Sequence, residues 1–120
     1  MTDYAAIADR YIAAWNETDA EARRALLAAA WTEGARYVDP LMQGEGRAQI
    51  DTLIGAVQTR FPRHAFTRTG TPDGHGDYLR FSWALGEENA PPVARGTDFA
   101  ALDADGRILS VTGFLDEIAA

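Results

Sequence analysis

Tyr78-Leu79-Arg80-Phe81-Ser82-Trp83-Ala84-Leu85-Gly86 is the segment that decides the fold. Leu79, Phe81, Trp83 and Leu85 fall on one side of an extended chain, because successive strand side chains point to opposite faces. This is a strand with one apolar face. Before it, His64 to Thr71 carries the same β-branched and aromatic character, and after it so do Val93 to Leu102 and Arg107 to Ile118. Three turn clusters separate the four segments: Pro72 to Gly76, Glu87 to Pro92, and Asp103 to Gly106. Connections this short favour antiparallel hairpins.

The first half reads differently. Tyr4, Ile7, Ala8, Tyr11 and Trp15 recur at helical spacing and predict a helix from about Thr2 to Asn16. Thr18-Asp19-Ala20-Glu21 has the form of a capping box, with Thr18 as cap and Glu21 reaching back. A second helix follows from about Asp19 to Ala30, with Ala22, Leu26 and Leu27 inward. Ala35 to Asp39 forms a short strand stopped by Pro40, and Leu41 to Gly46 reads as a loop. From Arg47, the positions Ile50, Leu53, Ile54, Val57 and Phe61 restore helical period until Pro62 ends it. Helix, helix, strand, helix and four strands make an α+β domain, with three helices packed on one face of a curved, mostly antiparallel sheet.

The chain has 120 residues, enough for one domain spanning 1–120 and too few for two. Its apolar runs are interrupted by charge and fall short of the roughly 20 residues needed to cross a bilayer. No basic, then apolar, leader is visible, and with no cysteine the simplest expectation is a cytoplasmic protein without disulfides. A net charge of −7, with 18 acidic residues against 11 basic ones that are scattered, argues against nucleic acid or a membrane surface as partner. His64 and His75 lie in separate contexts and do not converge as metal ligands. Phosphate loops, dinucleotide fingerprints and nucleophile elbows are absent, so no cofactor is expected.

Three residues on three elements carry the chemistry. Tyr11 lies on the inward stripe of the first helix, Asp39 closes the first strand, and Asp98 sits inside Ala94-Arg95-Gly96-Thr97-Asp98-Phe99-Ala100. A carboxylate within an apolar strand must be paired, protonated or open to a cavity. Arg80 is a possible ion-pair partner for it; Arg95, at an odd offset, points to the other face. Asp39 either acts as a base or braces the loop before Pro40, and Tyr11 either donates to a ligand or is a satisfied core tyrosine.

Arg10-Tyr11-Ile12, Tyr37-Val38-Asp39-Pro40, Thr97-Asp98-Phe99 and Gly106 to Val111 resemble, in order and approximate spacing, the signature stretches of ketosteroid isomerases. More broadly, the chain resembles the SnoaL-like members of the nuclear transport factor two-like superfamily. The resemblance implies a cystatin-like cone with an apolar pocket. It implies that Tyr11 and a neutral Asp98 donate to an enolate oxygen while Asp39 moves the proton. Trp31 and Ile54 stand where the isomerases carry supporting tyrosines, a departure from the steroid-isomerase pattern. The expected pocket wall is Trp15, Trp31, Tyr37 and Ile54, with Phe61, Phe66, Phe81 and Trp83.

These features imply binding of a small apolar, carbonyl-containing molecule with cofactor-free isomerase or cyclase chemistry. The alternatives are a non-catalytic binding or dimerisation domain, and epoxide hydration by Asp98 with Arg80. Val93, Phe99, Thr112 and Phe114 are expected on the outer sheet face, too apolar for open solvent, which predicts a homodimer.

Overall fold

The computed structural model describes residues 2–119. Helices α1 (Tyr4–Asn16), α2 (Ala20–Ala30) and α3 (Arg47–Arg60) pack on a six-stranded sheet. Its strands are β1 (Trp31–Val38), β2 (Gln43–Glu45), β3 (Ala65–His75), β4 (Tyr78–Gly86), β5 (Ala94–Leu102) and β6 (Ile108–Ile118). They lie in the order β2-β1-β6-β5-β4-β3. Only β1 against β6 runs parallel, and every other pair is antiparallel. The α+β architecture expected from the sequence is therefore present, with the strand that leads to Asp39 built into the same sheet. None of the helices among the described residues is long and apolar enough to cross a membrane.

The strands follow their alternation. In β4, Leu79, Phe81, Trp83 and Leu85 are buried, whereas Tyr78 and Arg80 are exposed. In β5 the buried set is Gly96, Asp98, Ala100 and Leu102, and Phe81 lies opposite Asp98 in the register. Asp98 is thus carried inward by strand parity alone.

Four local expectations need correction. Asp19 caps α2 in place of Thr18, its carboxylate accepting from the Ala22 N–H at 2.8 Å. Glu17 rather than Glu21 completes the turn by accepting from the Asp19 N–H. β1 begins at Trp31, immediately after α2, because Trp31 adopts extended backbone while its N–H still bonds the Leu27 carbonyl. The stretch read as a loop contains β2, which pairs Val38 with Gln43 and Tyr37 with Gly44; three residues with a glycine give too little pattern to detect. Finally, β3 runs on through Pro72 to His75, so the expected five-residue turn contracts to Gly76-Asp77. A register shift between Thr69 and Asp73 absorbs the proline, and β3 is an edge strand where a missing N–H costs little.

One polar cluster ties the three helices together. Arg23 is almost fully buried; it pairs with Asp51 and donates to the Glu17 carbonyl and the Gln58 side chain. Gln58 in turn donates to the Trp15 and Glu17 carbonyls, satisfying the C-terminal end of α1. Removing Arg23 leaves the half-buried Asp51 carboxylate without its cation and opens a gap where the guanidinium packed. Arg23→Ala should lower unfolding free energy by about 2–4 kcal/mol. Arg24→Ala, at the exposed neighbouring position, should change it by less than about 0.5 kcal/mol. Urea unfolding of both variants checks this, and equal effects would remove the cluster's structural role.

Candidate functional site

Tyr11 faces the sheet from the middle of α1. Trp31 stacks on its ring at 5.6 Å, and Phe81 meets it edge-on at 5.0 Å. So held, the Tyr11 hydroxyl donates to Asp98 Oδ2 at 2.6 Å. Asp98 is 2% exposed, and its other oxygen, Oδ1, has no hydrogen-bond partner among the described residues.

Desolvation by the surrounding core pushes the Asp98 carboxyl up to about 6, opposed by the hydrogen bond from Tyr11 and by the nearby Trp83 indole N–H, and reinforced by the negative charges of Asp39 and Asp116. The shift has the sign expected of a carboxylate on an apolar strand, and the neutral acid is the majority form below about pH 6. Burial, and then the neighbouring Asp98 charge, hold the Tyr11 phenol well above its ordinary range. Tyr37 is raised by the same two causes, so both hydroxyls remain donors.

Asp39 has a different environment. Its Oδ1 accepts from the Leu41 and Met42 N–H groups at 2.8 and 2.9 Å, while Oδ2 accepts from the Tyr37 hydroxyl at 2.7 Å. The Met42 carbonyl also receives the Asp39 N–H, which closes the β1–β2 loop from both sides. Asp39 therefore braces the loop. Three donors fill three of the roughly four acceptor positions of a carboxylate, leaving one on Oδ2.

The two acids meet over Gly113 of β6. A methyl group at Gly113 would lie 2.8 Å from Asp98 Oδ1, 3.2 Å from Asp39 Cβ and 3.5 Å from the Tyr37 hydroxyl. Absence of a side chain there is what lets both carboxyl groups and Tyr37 share one corner of the interior. Nothing in the hydrophobic pattern of β6 singles this glycine out.

That corner is the floor of a cavity of about 700 Å³ between α1, α3, the β1–β2 loop and the concave sheet. Tyr11, Asp39 and Asp98 all line it, as do Trp15, Tyr37, Phe61, Phe66 and Trp83 from the expected wall. Phe66 links Trp15 and Trp83 through edge contacts at 5.5 and 5.1 Å. Trp31, Ile54 and Phe81, also expected to line the pocket, do not. Trp31 and Phe81 are packed behind Tyr11, and Ile54 is fully enclosed by the core.

Val93, expected on the outer face, turns to the cavity instead because it precedes β5 and does not share its alternation. Arg80 is likewise displaced from its suggested pairing. It lies on the outer face with Asp73 at 2.9 Å, opposite to Asp98, so the Asp98–Arg80 set needed for epoxide hydration is not assembled. Val57 was legible as an inward position of the third helix, but the sequence carried no signal for the rim residues Met42, Arg60 and Leu115. Among the described residues, no three histidine or acidic side chains gather as a metal site.

Residues 8–111 match the model of the SnoaL-like domain. A crystal structure of a candidate isomerase of the SnoaL-like family from Agrobacterium tumefaciens shares 52% identity, covers 98% of this chain and 100% of its own, and superposes with a TM-score of 0.92. An NTF2-like protein of unknown function from Exiguobacterium superposes with a TM-score of 0.72 at 23% identity over 92% of this chain and 98% of its own. A candidate polyketide cyclase from Sinorhizobium meliloti does so with a TM-score of 0.69 at 18% identity, covering 89% and 92%; these two likenesses concern the fold alone. Among curated protein sequences there is no match. With the family model spanning most of its length and a half-identical relative sharing its whole fold, this chain belongs to the SnoaL-like family.

Proposed function

We propose that the chain binds a small, apolar, carbonyl-containing molecule in the 700 Å³ cavity and moves a proton next to its carbonyl, without a cofactor. The reaction class is isomerisation or aldol-type cyclisation. The observation that carries this reading is Asp98, a buried carboxyl with one oxygen held by Tyr11 and the other unpartnered, at the floor of an apolar cavity. The isomerase and cyclase descriptions of the Agrobacterium and Sinorhizobium proteins point the same way.

In the proposed cycle the carbonyl oxygen is drawn toward Tyr11 and Asp98. As negative charge develops there, it raises the proton affinity of Asp98 further, so the neutral acid becomes the stabilising donor. Asp39, through its last open acceptor position, takes up the proton from carbon and returns it. The direct experiment is deuterium exchange. A ketone that binds the cavity should exchange its α-hydrogens in heavy water faster with wild-type protein than with Asp39→Asn, followed by NMR. Binding without any enhanced exchange would favour the second reading, a non-catalytic binder in which Asp39 only braces its loop, as its three donors allow.

The acid–base assignment has a pH signature. A phenolate that stays ionised across the range mimics the enolate and is bound by the neutral form of Asp98. Its affinity should hold below about pH 6 and fall about tenfold per pH unit above it. Asp98→Asn, which keeps a donor, should remove that slope. Asp98→Leu should weaken binding at low pH by about 1–3 kcal/mol. Fluorescence titration of the cavity tryptophans reads all three, and a flat wild-type profile or unchanged binding by the leucine variant would overturn the assignment.

Stability follows the same proton. The folded state holds it more tightly than the unfolded chain, so this contribution is complete below about pH 4. It is lost as pH rises through about 6, amounting to about 3 kcal/mol. At neutral pH Asp98→Asn should therefore melt above wild type, and the gap should close on acidification. Thermal melts at both pH values test this.

We also propose a homodimer through the outer sheet face. Phe99 and Phe114 are 42% and 57% exposed there, and Tyr78 stacks on Phe99 at 5.8 Å. Light scattering should give twice the chain mass at micromolar concentration, and Phe99→Glu should halve it. A wild-type monomer would refute the proposal.

A further inference from the structure

The cavity is polar at two ends, and the ends differ in sign. At the floor stand the two acids with their tyrosines. At the rim, in the last turn of α3, stands Arg60. Only three charged side chains line the cavity among the described residues, and Arg60 is the single cation. Its guanidinium lies over the Phe61 ring, 5.7 Å from the centroid, and Phe61 is itself part of the cavity wall. The stacking fixes the cation at the mouth, since a guanidinium on an aromatic face keeps its edge donors free for a second partner.

Arg60 has no carboxylate partner among the described residues, whereas Arg63, three positions on, has Glu87. A basic residue at a helix C-terminus interacts favourably with the helix dipole. That accounts for the sign of the charge but not for its position over the opening. A protein with a net charge of −7 repels small anions in general, so a cation at the mouth is the feature that would admit one.

From this placement we infer that Arg60 selects the substrate class: an elongated apolar molecule with its carbonyl or enolic oxygen at the floor and an anionic group, such as a carboxylate, at its outer end. The inference rests on the proposed reading of the cavity as a ligand site. A neutral ligand of the same shape fills the apolar wall and reaches Tyr11 and Asp98 but leaves Arg60 in water. An acidic one gains a bidentate partner at the rim, where the guanidinium is already ordered.

The test uses a matched pair: a naphthol, and the hydroxynaphthoic acid that adds a carboxylate at the far end of the rings. Calorimetric titration at low salt should show the acid binding wild-type protein about tenfold more tightly, with the advantage shrinking as salt is added. Arg60→Gln should bind the naphthol as wild type does and lose the preference for the acid, while Arg60→Lys should keep part of it. Arg60 is exposed, so neither variant is expected to disturb folding. Equal binding of the two compounds by wild type, or a preference that survives in Arg60→Gln, overturns the inference while leaving the cavity reading intact. If wild-type protein binds neither compound, the cavity reading falls and the role of Arg60 falls with it.

Discussion

The rest of the structure is arranged around a carboxyl group in the wrong solvent. Asp98 is carried into the interior by the alternation of β5, with a fully apolar neighbour in register on β4. Its hydrogen bond from Tyr11 crosses from the sheet to α1 and is a buried polar link between that helix and the strands beneath it. Two aromatic rings hold Tyr11 so that it can make this bond, and a glycine on β6 leaves room for the unpartnered oxygen. A protein selected for stability alone would place an apolar residue here, because a buried carboxylate with one neutral donor does not recover its hydration.

The two acids show how environment divides labour between identical groups. Asp39 accepts from two backbone N–H groups and a phenol. Asp98 has one donor and an apolar surround, which favours its neutral form. Two side chains of the same type thereby meet different surroundings a few ångströms from a shared glycine. The proposed acid–base reading rests on that asymmetry rather than on the presence of two carboxylates.

Much of this was legible in the residues. Period-two alternation in Tyr78 to Leu85 and the helical stripe through Tyr11 and Trp15 gave the layers, and strand parity alone turned Asp98 inward and Arg95 outward. What periodicity could not supply was depth along the cone. Trp31, Phe81 and Trp83 are all inward-facing aromatics, yet only Trp83 borders the cavity, because the other two are covered by the Tyr11 ring. The approach of Gly113 to Asp39 depends on the β1–β6 pairing. No local window of sequence contains that contact.

The pairing also joins strands that lie far apart in the chain. Strands β3, β4, β5 and β6 are joined by short turns, and their hairpins can close early with little loss of chain entropy. β1 is different: its parallel partner lies near the opposite end of the chain, and one helix and four strands intervene in sequence before the two can meet. Until they do, Asp98 has no Asp39 beside it and Gly113 faces an unfinished interior. The corner that holds both acids is therefore completed by a pairing of large loop length, the kind of contact that chain entropy makes slow to form.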